Sequence, residues 1–320
     1  MTDHAISIDP QNRVALIERP RPPEPLSAQE IIGDTVVSLV SPGTELAMAA
    51  KASAQPRGTG YAAVCRITAV GQAVTELRPG DLVFAAGPHQ SWQRKSQESV
   101  VPVPIGLDPA VAVFTRLLGV SWATLVTTTA RPPDPVLVCG LGPVGNLAAQ
   151  LFAAAGYQVI AVDPDPQRRD LAGSLGIVAH DRIPAIPGDG FQLAIDCSGH
   201  ERAVLAACQA VRKRGEVVLT GVPWEAKAPD LAAFSVLEAV FKRYLVLRSG
   251  WEWEVPSERR EFTIGNHLAN YAAGMRWLGD GRINVAGLAS RHAPADCGQV
   301  YADLAARRSP APTALFAWSG

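Results

Sequence analysis

The stretch Gly140-Leu141-Gly142-Pro143-Val144-Gly145 fits the spacing GxGxxG. In such a turn the first glycine allows the tight bend, the second lets a pyrophosphate approach the backbone, and the third packs a helix against a sheet. The helix that opens behind it offers free N–H groups and a partial positive charge, so the chemistry is the binding of a dinucleotide phosphate. Asp163 stands 18 residues past the last of these glycines. A carboxylate there accepts the hydroxyls of an adenosine ribose and repels a 2′-phosphate, which favours NAD(H) over NADP(H). Arg168 and Arg169 follow closely. A guanidinium just past the second strand either reaches the cofactor, where it can hold a 2′-phosphate, or is a solvated residue of the first helical turn; with Asp163 present the second reading is preferred.

The turn can act only if a strand ends at Gly140 and a helix starts beyond Gly142, and the flanking sequence supplies both. Pro135–Cys139 is a continuous apolar strand, and Pro143–Gly156 has helical spacing and ends in glycine. A strand (Gln158–Val162), a helix (Gln167–Leu175), a strand (Leu193–Cys197) and a helix (Arg202–Arg212) follow. A strand (Glu216–Thr220), a helix (Leu231–Arg243) and a strand (Tyr244–Leu247) complete the series. Apolar strands alternating with helices imply a doubly wound parallel sheet. The first hundred residues read differently. Ile31–Leu39, Ala62–Val70 and Asp81–Ala85 are short β segments between turns such as Ser41-Pro42-Gly43 and Arg78-Pro79-Gly80-Asp81, the pattern of a small β-rich domain. A long helix (Ile264–Leu278), a short one (Cys297–Arg307) and a terminal strand (Thr313–Trp318) form a tail expected to fold back onto that domain.

Composition fits this division. The 320 residues suit two domains, and 48% hydrophobic against 18% charged residues supply a sizeable core. A formal charge of −1 gives no basic surface for nucleic acid or anionic membrane. No unbroken apolar run has membrane-spanning length, and the polar start Met1-Thr2-Asp3-His4 has no leader pattern. The five cysteines, Cys65, Cys139, Cys197, Cys208 and Cys297, lie too far apart for a zinc spacing. An odd count of scattered thiols is expected of a soluble, cytoplasmic protein.

Several ordered motifs together resemble the medium-chain dehydrogenase/reductase (alcohol-dehydrogenase-like) superfamily. They are Ala69-Val70-Gly71 with Leu77-Arg78-Pro79-Gly80-Asp81-Leu82-Val83, then Ile195-Asp196-Cys197-Ser198-Gly199, then Gly215-Glu216-Val217-Val218-Leu219-Thr220-Gly221-Val222-Pro223, and finally Gly281-Arg282-Ile283 with Gly287-Leu288. The resemblance implies an α/β protein with a GroES-like β-rich catalytic domain (1–116, completed by 251–320) and a Rossmann NAD-binding domain (117–250). It further assigns Ser198, Gly221, Val222 and Ser249 to the cofactor, and implies a homodimer acting on a small-molecule substrate, without nucleic-acid or membrane partners.

The departures from the family pattern concern metal. Zinc-dependent members carry a Cys before a G-[TS]-D motif, a GHE triplet and a later Glu or Cys. Here those places read Ser41-Pro42-Gly43-Thr44-Glu45, Gly60-Tyr61-Ala62 and Phe114-Thr115-Arg116, and the four-cysteine lobe is replaced by the short Ala85–Glu98. Neither a catalytic nor a structural zinc is therefore expected. The turns are most similar to a metal-free subgroup that includes the dehydrogenase of the bacteriochlorophyllide hydroxyethyl group. By the resemblance, Thr44 is expected to be a proton relay or a helix cap, Tyr61 a hydrogen-bond or proton donor or pocket wall, Arg116 an oxyanion or anion partner or an ion-pair residue, and His89 the titrating group beside the pocket or an exposed loop residue. Glu45, Trp251 and Trp253 are expected at the substrate pocket, the tryptophans as an aromatic wall or as packing between subunits.

The function expected is an NAD(H)-dependent, zinc-independent oxidoreductase interconverting a secondary alcohol and a ketone on a small or ring-shaped substrate. Two alternatives stand beside it: an NAD(P)H-dependent reductase of an activated C=C bond, and a non-catalytic NAD-binding redox sensor.

Overall fold

The computed structural model describes residues 2–22, 25–51, 53–186, 188–257, 260–263 and 265–318. The strands β1 (His4–Ile8), β2 (Val14–Glu18) and β3 (Glu30–Leu39) lead to helix α1 (Pro42–Ala50), followed by β4 (Arg57–Gly58), β5 (Ala63–Val70), β6 (Leu82–Ala85), β7 (Trp92–Ser96) and β8 (Val100–Pro102). Along β3 buried and half-buried residues alternate, as expected of a strand whose two faces meet different surroundings. The helices α2 (Pro109–Ala112) and α3 (Thr115–Thr127) then lead into an alternating series: β9 (Pro135–Cys139), α4 (Pro143–Ala154), β10 (Gln158–Val162), α5 (Pro166–Ser174), β11 (Ala179–His180), β12 (Phe191–Asp196), α6 (Glu201–Ala210), β13 (Val211–Leu219), α7 (Ala233–Arg243) and β14 (Val246–Ser249). The chain ends with α8 (His267–Gly279), β15 (Ala289–His292), α9 (Cys297–Ala305) and β16 (Thr313–Ala317).

Two compact units result. The first holds residues 1–116, 271–279 and 287–320, the second 117–270 and 280–286. In the first, a seven-stranded sheet runs β15-β16-β3-β5-β6-β8 with β7 also paired to β3, and a small sheet runs β2-β1-β4. The terminal strand β16 lies antiparallel to β3, pairing Phe316 with Ser38, so the tail completes this sheet. In the second unit six parallel strands are ordered β11-β10-β9-β12-β13-β14, with the order reversing at β9. Period-two alternation buries both faces of β9. Val136 and Val138 pack with Ala148 and Phe152 of α4, while Leu137 and Cys139 pack with Ala207 and Cys208 of α6.

The expected α/β architecture is the one observed, and the differences are local. The helix read to Arg212 stops at Ala210 because Val211 takes an extended conformation and opens β13. A bulge then skips from Val211 to Glu216 in register, with Arg214 at φ 63°. The last strand begins at Val246 rather than Tyr244, which ends α7 in the left-handed region. Of the helix expected over 264–278, Ile264 lies outside the described residues and α8 starts at His267. Residues 251–270 and 280–286, read with the β-rich domain, pack in the second unit. His267 bonds the Glu252 carbonyl at 2.8 Å, and Gln150 of α4 holds Asn284 through two backbone hydrogen bonds of 2.7 and 2.8 Å.

Sequence reading finds no unbroken apolar run of membrane-spanning length. Among the described residues the structure makes one helical stretch, Pro109–Thr127, apolar enough to cross a membrane, and two thirds of it is buried within the protein. It is a core element.

Candidate active site

In the parallel-sheet unit the glycine turn joins β9 to α4. Gly140 lies at φ 91°, a left-handed conformation costly for a side chain, and its N–H bonds the Val162 carbonyl at the end of β10. A Cβ on Gly145 would fall 1.8 Å from the Gly140 oxygen, so helix and strand approach as only glycine allows. Gly142 is the N-cap of α4 and has no side-chain cap, with Pro143 at the first helical position. A Cβ there meets nothing within 4 Å, so the space over the helix N-terminus is open to a ligand. An unfilled approach to uncapped N–H groups on a 12-residue helix fits the diphosphate of a dinucleotide.

Asp163 has a second task that its spacing does not reveal. It is 3% exposed; Oδ2 accepts the Leu141 N–H at 2.7 Å, and Oδ1 accepts that of Asp165 at 2.9 Å. The carboxylate thus braces the glycine turn from below, and each oxygen keeps a further lone pair for a ribose hydroxyl. Arg168 lies 3.5 Å from Asp163 and 3.8 Å from Asp165, whereas Arg169 is spent on the carbonyls of Asp163 and Pro164, both at 2.8 Å. At the end of β12, the buried Asp196 accepts the Ser198 hydroxyl at 2.6 Å and the Gly199 N–H at 3.0 Å. Burial pushes its carboxyl above the usual range despite those bonds. The Ser198 loop closes against the turn, since a Cβ on Gly140 would meet Ser198 N at 3.0 Å. Gly221 N–H bonds the Asp196 carbonyl at 2.6 Å, Val222 is 39% exposed beside it, and Ser249 Oγ accepts the Trp251 N–H at 3.0 Å. Trp251 and Trp253 each stay 59% exposed, with Trp253 tilted against His267 at 5.0 Å between centroids.

The β-rich unit brings together three of the four expected catalytic side chains. Thr44 rides on α1, and the Tyr61 hydroxyl donates to its Oγ1 over 3.4 Å. The Arg116 guanidinium, 6% exposed, stacks 4.5 Å over the Tyr61 ring and lies 5.8 Å from that of Tyr271. Tyr271 in turn meets Phe84 edge-on at 5.4 Å. Burial pushes the Tyr61 phenol above its usual range, an effect that the Arg116 charge opposes but does not overcome. A permanent cation held beside a pair of hydroxyls can stabilise an oxyanion and pass a proton.

His89 and Glu45 are placed otherwise than expected. Both are 0% exposed, enclosed in the β-rich unit rather than on an open surface. His89 Nδ1 lies 2.7 Å from Ser38 Oγ and Nε2 lies 3.0 Å from Glu45 Oε2, inside the β-rich core. The loop carrying His89 is drawn inward because its N–H and C=O bond Thr59 and Ile6 as in a sheet. Sequence reasoning missed Tyr271, Thr59, Tyr301 and Asp196. The tyrosines come from α8 and α9, far along the chain, and carry no local motif.

The donor set at the three metal-ligand places does not fit zinc. The first place, at Ser41-Pro42, has no thiol, Tyr61 offers a neutral hydroxyl, Thr115 Oγ1 is buried toward Met275 Sδ at 3.8 Å, and a guanidinium cation occupies the vicinity. Among the described residues no three His, Cys, Asp or Glu side chains cluster.

Comparison with known proteins agrees with the fold. Residues 143–256 match the family described as zinc-binding dehydrogenase, a stretch that excludes positions 41–61 and 115. An alcohol dehydrogenase of Geobacillus stearothermophilus is 29% identical over 146 residues, spanning 43% of this chain and 43% of that enzyme. Galactitol-1-phosphate dehydrogenase from Escherichia coli superposes over 98% of this chain and 99% of its own, with TM-score 0.81 and 18% identity. Acetophenone reductase from Geotrichum candidum in complex with NAD superposes over 99% and 97%, with TM-score 0.80 and 14% identity. The fold is thus shared along the whole chain, and the match to the zinc-binding dehydrogenase family covers residues 143–256, most of the parallel-sheet unit.

Proposed function

We propose that the protein is an NAD(H)-dependent, zinc-independent oxidoreductase that interconverts a secondary alcohol and a ketone. The observation that carries this reading is the Arg116 guanidinium stacked on Tyr61, whose hydroxyl reaches Thr44. In zinc-dependent relatives a metal cation polarises the reacting oxygen; here Arg116 supplies the fixed positive charge. NAD(H), when bound, supplies the hydride exchange at its nicotinamide. Gly140 through Gly145 and the start of α4 take the diphosphate, with Ser198, Gly221, Val222 and Ser249 at the neighbouring strand ends. Asp163 favours the unphosphorylated ribose, and Arg168 is occupied with carboxylates rather than poised for a phosphate. In the oxidation direction the Thr44 and Tyr61 hydroxyls would relay the alcohol O–H proton onward to solvent water, the hydride going to NAD+, and Arg116 would stabilise the alkoxide that develops. The exposed faces of Trp251 and Trp253 suit a ring-shaped substrate. The Ser-Pro-Gly-Thr-Glu and Gly-Tyr turns support the metal-free subgroup.

The same reading makes the protein a cytoplasmic homodimer. Support for the dimer is that, among the described residues, β14 is an edge strand of the parallel sheet, and that Phe234, Leu237 and Phe241 of α7 are 67%, 66% and 83% exposed at helical spacing.

Titration with NADH and NADPH, followed by turnover of secondary alcohols, tests the reading. NADH is expected to bind more tightly, and Arg116→Met to lower kcat about 10²-fold. Preference for NADPH, or full activity in Arg116→Met, overturns it.

A further inference from the structure

Glu45 is wholly buried, and no step of the proposed reaction uses it. Its Oε1 accepts the Ser41 N–H, ahead of the first turn of α1, at 2.6 Å. Its Oε2 accepts the hydroxyls of Thr59, at 2.6 Å, and of Tyr301, and faces Nε2 of His89 at 3.0 Å. Helix α1, the segment before β5, the loop after β6 and helix α9 therefore meet on one carboxylate. The far nitrogen of His89 is fixed by Ser38 of β3, whose Oγ also accepts the Trp318 indole N–H at 2.8 Å. Burial pushes the Glu45 carboxyl up, but the His89 ring and the hydrogen bonds from Ser41 and Thr59 outweigh it and hold the group below the usual range.

The two hydroxyls of the candidate site flank this hub. Thr44 is the residue before Glu45 on α1. Tyr61 lies two residues past Thr59, and the glycine between them is seated on the histidine: a Cβ on Gly60 would come 2.5 Å from the His89 ring. Any shift of the hub displaces both carriers, through α1 on one side and through Thr59 and Gly60 on the other.

We infer that Glu45, clamped by Thr59, His89 and Tyr301, is the positioning residue that sets the spacing between the Thr44 and Tyr61 hydroxyls. The inference rests on the reading of that pair as the proton path.

Tyr301→Phe tests it, because it keeps the buried ring and removes one donor to the carboxylate. Expected is a fall in kcat of about 10-fold with the KM for alcohol nearly unchanged, since misplacement alters the reacting geometry rather than the binding. In a Tyr61→Phe background the same substitution is expected to change kcat less than about twofold, because spacing has no consequence once one hydroxyl is gone. Thr59→Val removes a different donor and is expected to repeat the pattern if Tyr301→Phe folds poorly. Equal losses in both backgrounds, or no loss in either, overturn the inference. If the unaltered protein binds NADH but turns over no alcohol, the proposed reaction fails, and crystal structures of the unaltered protein and Tyr301→Phe decide the positioning. A Thr44–Tyr61 separation that widens beyond hydrogen-bond reach supports it, and an unchanged one overturns it.

Discussion

Alanine placed at two glycines of one turn separates cofactor binding from folding. At Gly145 the new Cβ would lie 1.8 Å from the Gly140 oxygen and 3.1 Å from Cys197 Cβ, where real Cβ contacts do not fall below 3.0 Å. Helix α4 must then move about 1 Å off a close-packed sheet, a strain of about 3 kcal/mol. For a unit of this size that lowers Tm by about 6–12 °C. At Gly142 φ is −62° and a Cβ meets nothing within 4 Å. Alanine there costs only the difference between N-cap residues, about 0.5 kcal/mol. If the second glycine exists to let a pyrophosphate touch the backbone, the same methyl weakens NADH binding by at least about 10-fold. Thermal unfolding paired with calorimetric NADH titration reads both quantities. Gly145→Ala is expected to lose stability and NADH affinity together, Gly142→Ala to lose affinity with a Tm near that of the unaltered protein. A Gly142→Ala protein that binds NADH normally refutes the diphosphate assignment.

Three further outcomes follow from the charged and thiol groups. Glu216 is 4% exposed and accepts Arg248 Nε at 2.5 Å and the Thr128 hydroxyl at 2.6 Å. Glu216→Ala removes the buried acceptor of the Thr128 hydroxyl and the Thr129 N–H and one of the partners of Arg248, which keeps Glu254 and Thr127. It is expected to cost about 3 kcal/mol in denaturant unfolding, whereas an exposed ion pair would cost less than about 1 kcal/mol. The Arg94 hydrogen bond, with that of the Ser27 N–H, holds the Glu30 carboxyl down from 4.5 to about 2. Since the folded pKa is the lower one, this contact stabilises fully above pH 4.5 and its contribution disappears as the pH falls toward 2. The Tm gap between the unaltered protein and Glu30→Gln should therefore close across that window, and an NMR carboxyl titration near 4.5 would contradict the assignment. Burial pushes the Cys65 thiol up to about 12, and the thiols of Cys139 and Cys197 are also raised by burial. Dithionitrobenzoate at pH 8 is expected to label the buried Cys65 and Cys139 only on unfolding, and rapid native labelling of these two would show that they are accessible thiolates.

The parallel-sheet unit was legible because its signals are local. The continuous apolar run of β9, the glycine spacing and the acid after β10 all lie within one stretch of chain, and backbone geometry allows few alternatives. Thr44, Tyr61 and Arg116 could be picked out because they align with the family's relay hydroxyl, stand at a metal-ligand place and adjoin another, respectively. His89 and Glu45 could not be assigned correctly, since a His and a Glu read alike whether they line a pocket or satisfy each other in a core. Only the long-range approach of Tyr301, Thr59 and Ser38 decides between those fates. The same holds for Asp163, whose spacing points to a ribose but not to its grip on the Leu141 N–H. The end of α6 was misjudged because Val211 and the Arg214 bulge answer to pairing with β12, which helical spacing does not report.

The central claim is hydride exchange with NAD(H) assisted by a guanidinium and two hydroxyls rather than by zinc. Its most direct test is NADH formation at 340 nm from secondary alcohols, using protein dialysed against chelator and verified metal-free by mass spectrometry. Undiminished turnover that falls about 10²-fold in Arg116→Met is the result expected. Turnover that vanishes with the chelator and returns only with added zinc would contradict the account.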